Sequence, residues 1–122
     1  MRVAVTATGE DLSSPVDRVF GRARWFLITD PEGGEVEVLE NSQNVNAAQG
    51  AGIQAARQIA NKSVDAVLTG NVGPNAFRAL EAASIRVFPF ESDILTVRDA
   101  LTAWKEGRLQ EVKAPTATGH GF

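Results

Sequence analysis

Ala66-Val67-Leu68-Thr69-Gly70-Asn71-Val72-Gly73-Pro74-Asn75-Ala76-Phe77 changes character twice within twelve residues. Ala66-Val67-Leu68 is a short continuous apolar run, which reads as a strand buried on both faces. Gly70 and Gly73 punctuate a turn, and Pro74 sits where a first helical turn tolerates a missing N–H. Ala76, Phe77, Leu80 and Ala83 then recur at helical spacing. A buried strand feeding straight into a helix demands a parallel neighbour reached by a right-handed crossover. Ile85 to Phe88, stopped by Pro89, supplies that neighbour.

Working outward, Ala48, Gly52, Ala55, Ala56, Ile59 and Ala60 share one helical face, whose small side chains let a helix lie close to a sheet. Asn61-Lys62-Ser63 closes that helix. Further back, Val3, Val5 and Ala7 alternate as a first strand, and Trp25-Phe26-Leu27-Ile28 is a second apolar run. Asp30-Pro31-Glu32-Gly33-Gly34 is a strong turn, after which residues 36–40 alternate as a third strand and hairpin partner of the second. Toward the end, Thr96 and Asp99 form a capping-box pattern, Val97, Ala100, Leu101 and Trp104 make a stripe, and Gly107 stops the helix. The order βββαβαβα predicts an α/β domain: a mixed five-stranded sheet flanked by helices over residues 1–112. The aperiodic residues 113–122 are expected to be a mobile tail. Ligands of such sheets bind beyond the carboxyl ends of the parallel strands, where the loops after Leu68 and before the first long helix meet.

The chain has 122 residues, enough for one domain with a real core. Its net charge of −3, with both signs interspersed, argues against a general nucleic-acid binder. It has no cysteine and one histidine, His120 in the tail, so the usual soft metal ligands are missing. The start runs directly into a strand and no apolar run approaches membrane length, so the expectation is a cytoplasmic protein with no membrane partner.

What the chain does offer is glycine at two helix entries, Gln49-Gly50-Ala51-Gly52 and Gly70-Asn71-Val72-Gly73-Pro74-Asn75. Backbone N–H groups at such entries, with the positive end of the helix dipole, suit an anion. Phe20-Gly21-Arg22-Ala23 adds a guanidinium fork able to reach it. Each has a plainer reading as well: glycines permit close helix–sheet packing, and arginines most often stay at the surface. Gly50-Ala51-Gly52-Ile53-Gln54-Ala55 has the form of a dinucleotide fingerprint but does not follow a strand directly, and the second turn lacks the Gly-Lys-Ser/Thr ending of a P-loop. Asp17 and Arg18 read as solvated turn residues, and Asp30, Glu91 and Asp93 as turn or cap residues. No catalytic set can be assembled.

In this order, Met1-Arg2-Val3-Ala4-Val5, Ser14-Pro15-Val16, Phe20-Gly21-Arg22-Ala23, Glu40-Asn41, Gly50-Ala51-Gly52-Ile53-Gln54-Ala55-Ala56, Val64-Asp65-Ala66-Val67, Gly73-Pro74-Asn75-Ala76-Phe77 and the ending Val97 to Leu109 resemble the dinitrogenase iron–molybdenum cofactor biosynthesis domain family. Each piece is weak alone; the ordered series covers nearly the whole chain. The resemblance implies a ribonuclease-H-like fold and a non-enzymatic protein that carries a metal–sulfur cluster or its precursor. Many members have histidine before the glycine pair, where this chain has Gln49, which removes the obvious metal ligand. The chain is also compatible with the orange-protein subgroup, whose molybdenum–copper sulfide cluster is held non-covalently. Such a polyanion brings its own sulfide ligands and needs N–H donors and arginine rather than thiolates.

The resulting expectation is a carrier for an anionic metal–sulfur cluster containing molybdenum with copper or iron. The cluster would be held by Gly21, Arg22, Gln49, Gly50, Gly52, Gly70, Asn71, Gly73 and Asn75, with a cluster-donating or cluster-accepting protein as partner. Two alternatives stand beside it: an accessory interaction module whose glycine loops are structural, and an enzyme acting on a phosphorylated metabolite.

Overall fold

The structure is a computed structural model that describes residues 1–41 and 50–116. Its strands are β1 (Val3–Ala7), β2 (Trp25–Thr29), β3 (Glu37–Glu40), β4 (Ala66–Thr69) and β5 (Arg86–Pro89). Its helices are α1 (Ala51–Ala60), α2 (Pro74–Ala82) and α3 (Val97–Lys105). The strands form one five-stranded sheet in the order β3-β2-β1-β4-β5. The first three pair antiparallel as a meander, and β4 and β5 add in parallel through helical crossovers. This is the mixed five-stranded α/β architecture that the element order predicts, with the ribonuclease-H-like layout that the family resemblance implies.

Burial explains the strand compositions. Every residue of β1 and of β4 is buried, because β1 and β4 lie inside the sheet and are covered on both faces. One face packs Ala4, Phe26, Ile28 and Val67 against Ala55, Ala56 and Ile59 of α1 and Phe77 and Leu80 of α2. The other packs Val3, Val5, Leu27 and Leu68 against Val97, Ala100 and Leu101 of α3. Edge strand β3 alternates half-buried and exposed residues.

Pro89 does not stop β5. It pairs with Thr69 as the last residue of that strand, an edge position where a proline needs no ladder N–H on its outer side. The last helix begins as its sequence requires: Thr96 accepts from the Asp99 N–H and the Asp99 carboxylate accepts from the Thr96 N–H. Gly107 follows it at φ 71°, in the left-handed region that favours glycine.

Beyond the last helix, Val112 donates to the Val87 carbonyl and covers the free edge of β5. The segment expected to be a mobile tail then makes a specific contact at Thr116, described below. Residues 117–122, His120 among them, lie outside the described residues, as does the expected helical position Ala48.

Candidate functional site

The register fixes where the loops meet. Ala7 pairs with Trp25, and Trp25 with Glu40, so the end of β1, the start of β2 and the end of β3 share one edge of the sheet. Because β4 and β5 run parallel to β1, their carboxyl ends reach that edge too. The three helices among the described residues therefore begin at this end.

Segment 17–24 is the hub. The Asp17 N–H donates to the Thr6 carbonyl (2.9 Å), and the Thr6 hydroxyl donates to the Asp17 carbonyl (2.6 Å). Thr6 Oγ1 also lies 2.9 Å from Thr69 Oγ1, joining the ends of β1 and β4 through two buried hydroxyls. From there the segment runs beside the second glycine turn. Asn71 donates to the Arg18 carbonyl (2.6 Å), and Phe20 donates to the Asn71 carbonyl (3.0 Å). A β-carbon on Gly70 would overlap the Arg18 carbonyl, so only glycine fits there. On the other side, a β-carbon on Gly21 would lie 2.8 Å from both N and Cα of Gly52. Gly52 in turn abuts Ala76, where added and existing β-carbons would be 2.6 Å apart.

Of the residues expected to form a site, these contacts bring together Gly21, Gly52, Gly70 and Asn71. Gly73 stands at the N-cap of α2, Asn75 is exposed in its first turn, and Gly50 is the exposed N-cap of α1 at φ 77°. Arg22 is exposed on the same loop as Gly21. Gln49 lies outside the described residues.

The two glycine caps have an electrostatic consequence. Neither α1 nor α2 has a side-chain cap or an acidic residue in its first turn. Helix α3, at the same end of the sheet, has both. The first-turn N–H groups of a helix have no intrahelical acceptor, so α1 and α2 bring positive dipole ends, without a side-chain cap or first-turn acid of their own, side by side where Gly52 meets Ala76. The chemistry of two such helix starts suits an anion held through the backbone. Among the described residues no three His, Cys, Asp or Glu side chains are grouped to hold a bare metal ion. The donor set fits a cluster that brings its own anionic ligands.

Asp17 is not the solvated turn residue that its local sequence suggests, and Arg18, although exposed as expected, is tied down by specific contacts. Asp17 is half-buried. Burial raises its carboxyl above the ordinary value, against the lowering effect of the Val19, Arg24 and Arg18 N–H groups it faces. Arg18 donates from Nη1 to the Glu91 carbonyl (3.3 Å) and from Nη2 to the Ile94 carbonyl (2.5 Å), and lies 5.5 Å from the Phe90 ring centre. It ties segment 17–24 to the loop before α3. Asn41, which the sequence marks only within the Glu40-Asn41 pair, is a structural support of segment 17–24. It is fully buried, and its side-chain amide donates to the carbonyls of Ala23 (2.8 Å) and Gly21 (3.4 Å), bracing the Arg22 loop from below. An asparagine placed directly after a strand was the available signal.

A separate shallow cavity of about 260 Å³ lies between the end of α2, the start of β5 and residues 111–113. Glu111 is paired with both Arg86 and Lys113 at its rim, away from the glycine loops.

These features define a class: a small α/β protein with glycine-capped helix starts converging at one end of a mixed sheet. The chain belongs to the family described as dinitrogenase iron-molybdenum cofactor, whose profile matches residues 1–107. It is similar over 95% of its length to the apo form of the orange protein from Desulfovibrio gigas, at 39% identity and a TM-score of 0.89, covering 96% of that chain. It is also similar to a putative NifB protein from Thermotoga solved by NMR (42% identity, TM-score 0.83, 97% of this chain and 98% of that one). An uncharacterised protein of Methanocaldococcus jannaschii is 30% identical over 95 residues, which are 75% of this chain and 78% of that protein. Among the described residues no helix is long and apolar enough to cross a membrane.

Proposed function

We propose that the protein is a non-catalytic carrier of an anionic metal–sulfur cluster containing molybdenum with copper or iron. The cluster binds at the converging starts of α1 and α2. The observation that carries this reading is the contrast between those two uncapped, acid-free helix starts and the fully capped start of α3. The close approaches at Gly21, Gly52 and Gly70 are accounted for by packing alone; the lack of any side-chain cap or first-turn acid on both helices is not. Gly50, Gly73 and the first-turn amides are the backbone donors, Arg22 supplies charge, and Asn71 and Asn75 flank the site. A cluster that carries its own sulfide needs no thiolate, which suits a chain with no cysteine. Membership in a family described by the iron–molybdenum cofactor, and likeness to the orange protein, support the same cargo class. A carrier implies a donor or acceptor protein for its cluster.

The test is anaerobic mixing of the protein with tetrathiomolybdate and copper(I), followed by gel filtration read for visible absorbance and metal content. A coloured species eluting with the protein at fixed stoichiometry, and lost in Arg22→Ala, is expected. Metal found only in the salt volume, both here and with an iron–molybdenum precursor cluster, would overturn the reading.

A further inference from the structure

We infer that Thr116 is a positioning residue of this anion site, an inference that rests on the carrier reading above. Residues 110–116 run from the last helix across the edge of β5, where Val112 bonds Val87, and end on the second glycine turn. There Thr116 makes a reciprocal clasp with Val72. The Thr116 N–H donates to the Val72 carbonyl (3.0 Å), and the Val72 N–H donates to the Thr116 hydroxyl (2.8 Å).

The peptide group explains why this matters. The Val72 carbonyl and the Gly73 N–H belong to one planar unit and point in opposite directions. Fixing the carbonyl therefore fixes the Gly73 N–H, the donor at the N-cap of α2. Without the clasp this unit is the easiest in the turn to rotate, because Gly73 has no β-carbon and nothing lies within 4 Å of where one would stand. The two preceding units are already held from the other side, by the Asn71 N–H on the Arg18 carbonyl and by the Phe20 N–H on the Asn71 carbonyl. Thr116 thus completes the orientation of a turn whose remaining partners, Arg18 and Phe20, lie almost a hundred residues earlier. Its own side chain is exposed, so its contribution is to the turn and not to the core.

Three variants test this. Thr116→Ser keeps both partners of the clasp, Thr116→Val removes the hydroxyl, and Thr116→Pro removes the hydroxyl and the N–H. The readouts are the release rate of a cluster loaded from tetrathiomolybdate and copper(I), the urea midpoint, and the Val72 and Gly73 amide signals of the apo-protein. Thr116→Pro is expected to release cluster about tenfold faster, within the combined net scale of the two hydrogen bonds it loses. It should also shift the Gly73 amide and deprotect Val72, with the urea midpoint unmoved. Thr116→Val should fall between, and Thr116→Ser should match the wild type. Equal release by Thr116→Pro and wild type overturns the inference, as does faster release matched by a fall in urea midpoint in every variant. If the wild type holds no cluster, the carrier reading fails instead. The apo amide signals then still decide whether Thr116 sets the turn, and an unmoved Gly73 amide overturns that as well.

Discussion

Gly52 and Ala76 stand so close that a β-carbon on the first would lie 2.6 Å from that of the second. This single contact sets the starts of α1 and α2 against each other. Ala76 is a rigid neighbour, so the strain of an added methyl cannot be relieved by a rotamer change. Gly52→Ala gains up to about 1 kcal/mol in helix propensity and loses about 1–3 kcal/mol to overpacking. The net expectation is destabilisation, read as a lower urea midpoint, with Gly52→Val lower still and cluster retention reduced in both.

Gly70 and Gly73, three residues apart in one turn, should behave oppositely. A β-carbon on Gly70 meets the Arg18 backbone, whereas Gly73 has open space and an ordinary φ of −73°. Gly70→Ala is expected to cost more than about 2 kcal/mol, since backbone must move. Gly73→Ala should stay within about 0.5 kcal/mol of the wild type, as surface substitutions usually do. Equal midpoints for the two variants would refute the contact assigned to Gly70.

Asp17 predicts a pH dependence of unusual sign for a carboxylate. Its folded pKa lies above the ordinary 3.8, with burial the main cause. The folded state therefore binds the proton more tightly than the unfolded state. Through this group, stability falls as pH rises from about the ordinary value through the folded one. Asp17→Asn removes that slope. Urea midpoints of wild type and variant, followed from pH 3.5 upward in steps of about one unit, should shift in favour of the variant as pH rises. A gap between the two that does not change with pH would count against the burial of this carboxyl.

Asp99 gives the opposite sign. The Thr96 and Leu95 N–H groups hold its carboxyl below the ordinary 3.8. Its folded pKa is depressed, so its stabilising effect is present above the unfolded value and is lost as pH falls through the folded one. Asp99→Asn should be less stable than wild type at neutral pH and converge with it in acid. Thr96→Ala, which removes the other half of the box, should cost about 1 kcal/mol. Neither change touches the glycine-capped helices, so cluster retention is expected to persist.

The fold was legible because each element announces itself locally. Ala66-Val67-Leu68 and Trp25 to Ile28 are too apolar to face water, the stripes of α1 to α3 keep helical spacing, and Thr96 with Asp99 marks a helix start. The candidate site was legible only as a set of glycines. Which of them serve packing and which stay open depends on partners distant in the chain: Gly21 on Gly52, Gly70 on Arg18. Asp17 and Arg18 read as solvated turn residues because both are charged and follow the turn chemistry of Ser13-Ser14-Pro15. Their actual neighbours, Thr6, Phe90 and Ile94, come from other strands and loops. Thr116 carried no signal at all, since a single hydrogen-bonding residue in an aperiodic stretch has no pattern to detect.

The sheet order also governs when the second glycine turn is completed. β2, β3 and α1 separate β1 from its neighbour β4, so the centre of the sheet closes only after β4 has been made. The clasp at Val72 then waits for Thr116, 44 residues further along the chain. A growing chain therefore builds every described strand and helix before this turn can be locked, which makes the turn the last part of the described fold to take its final form.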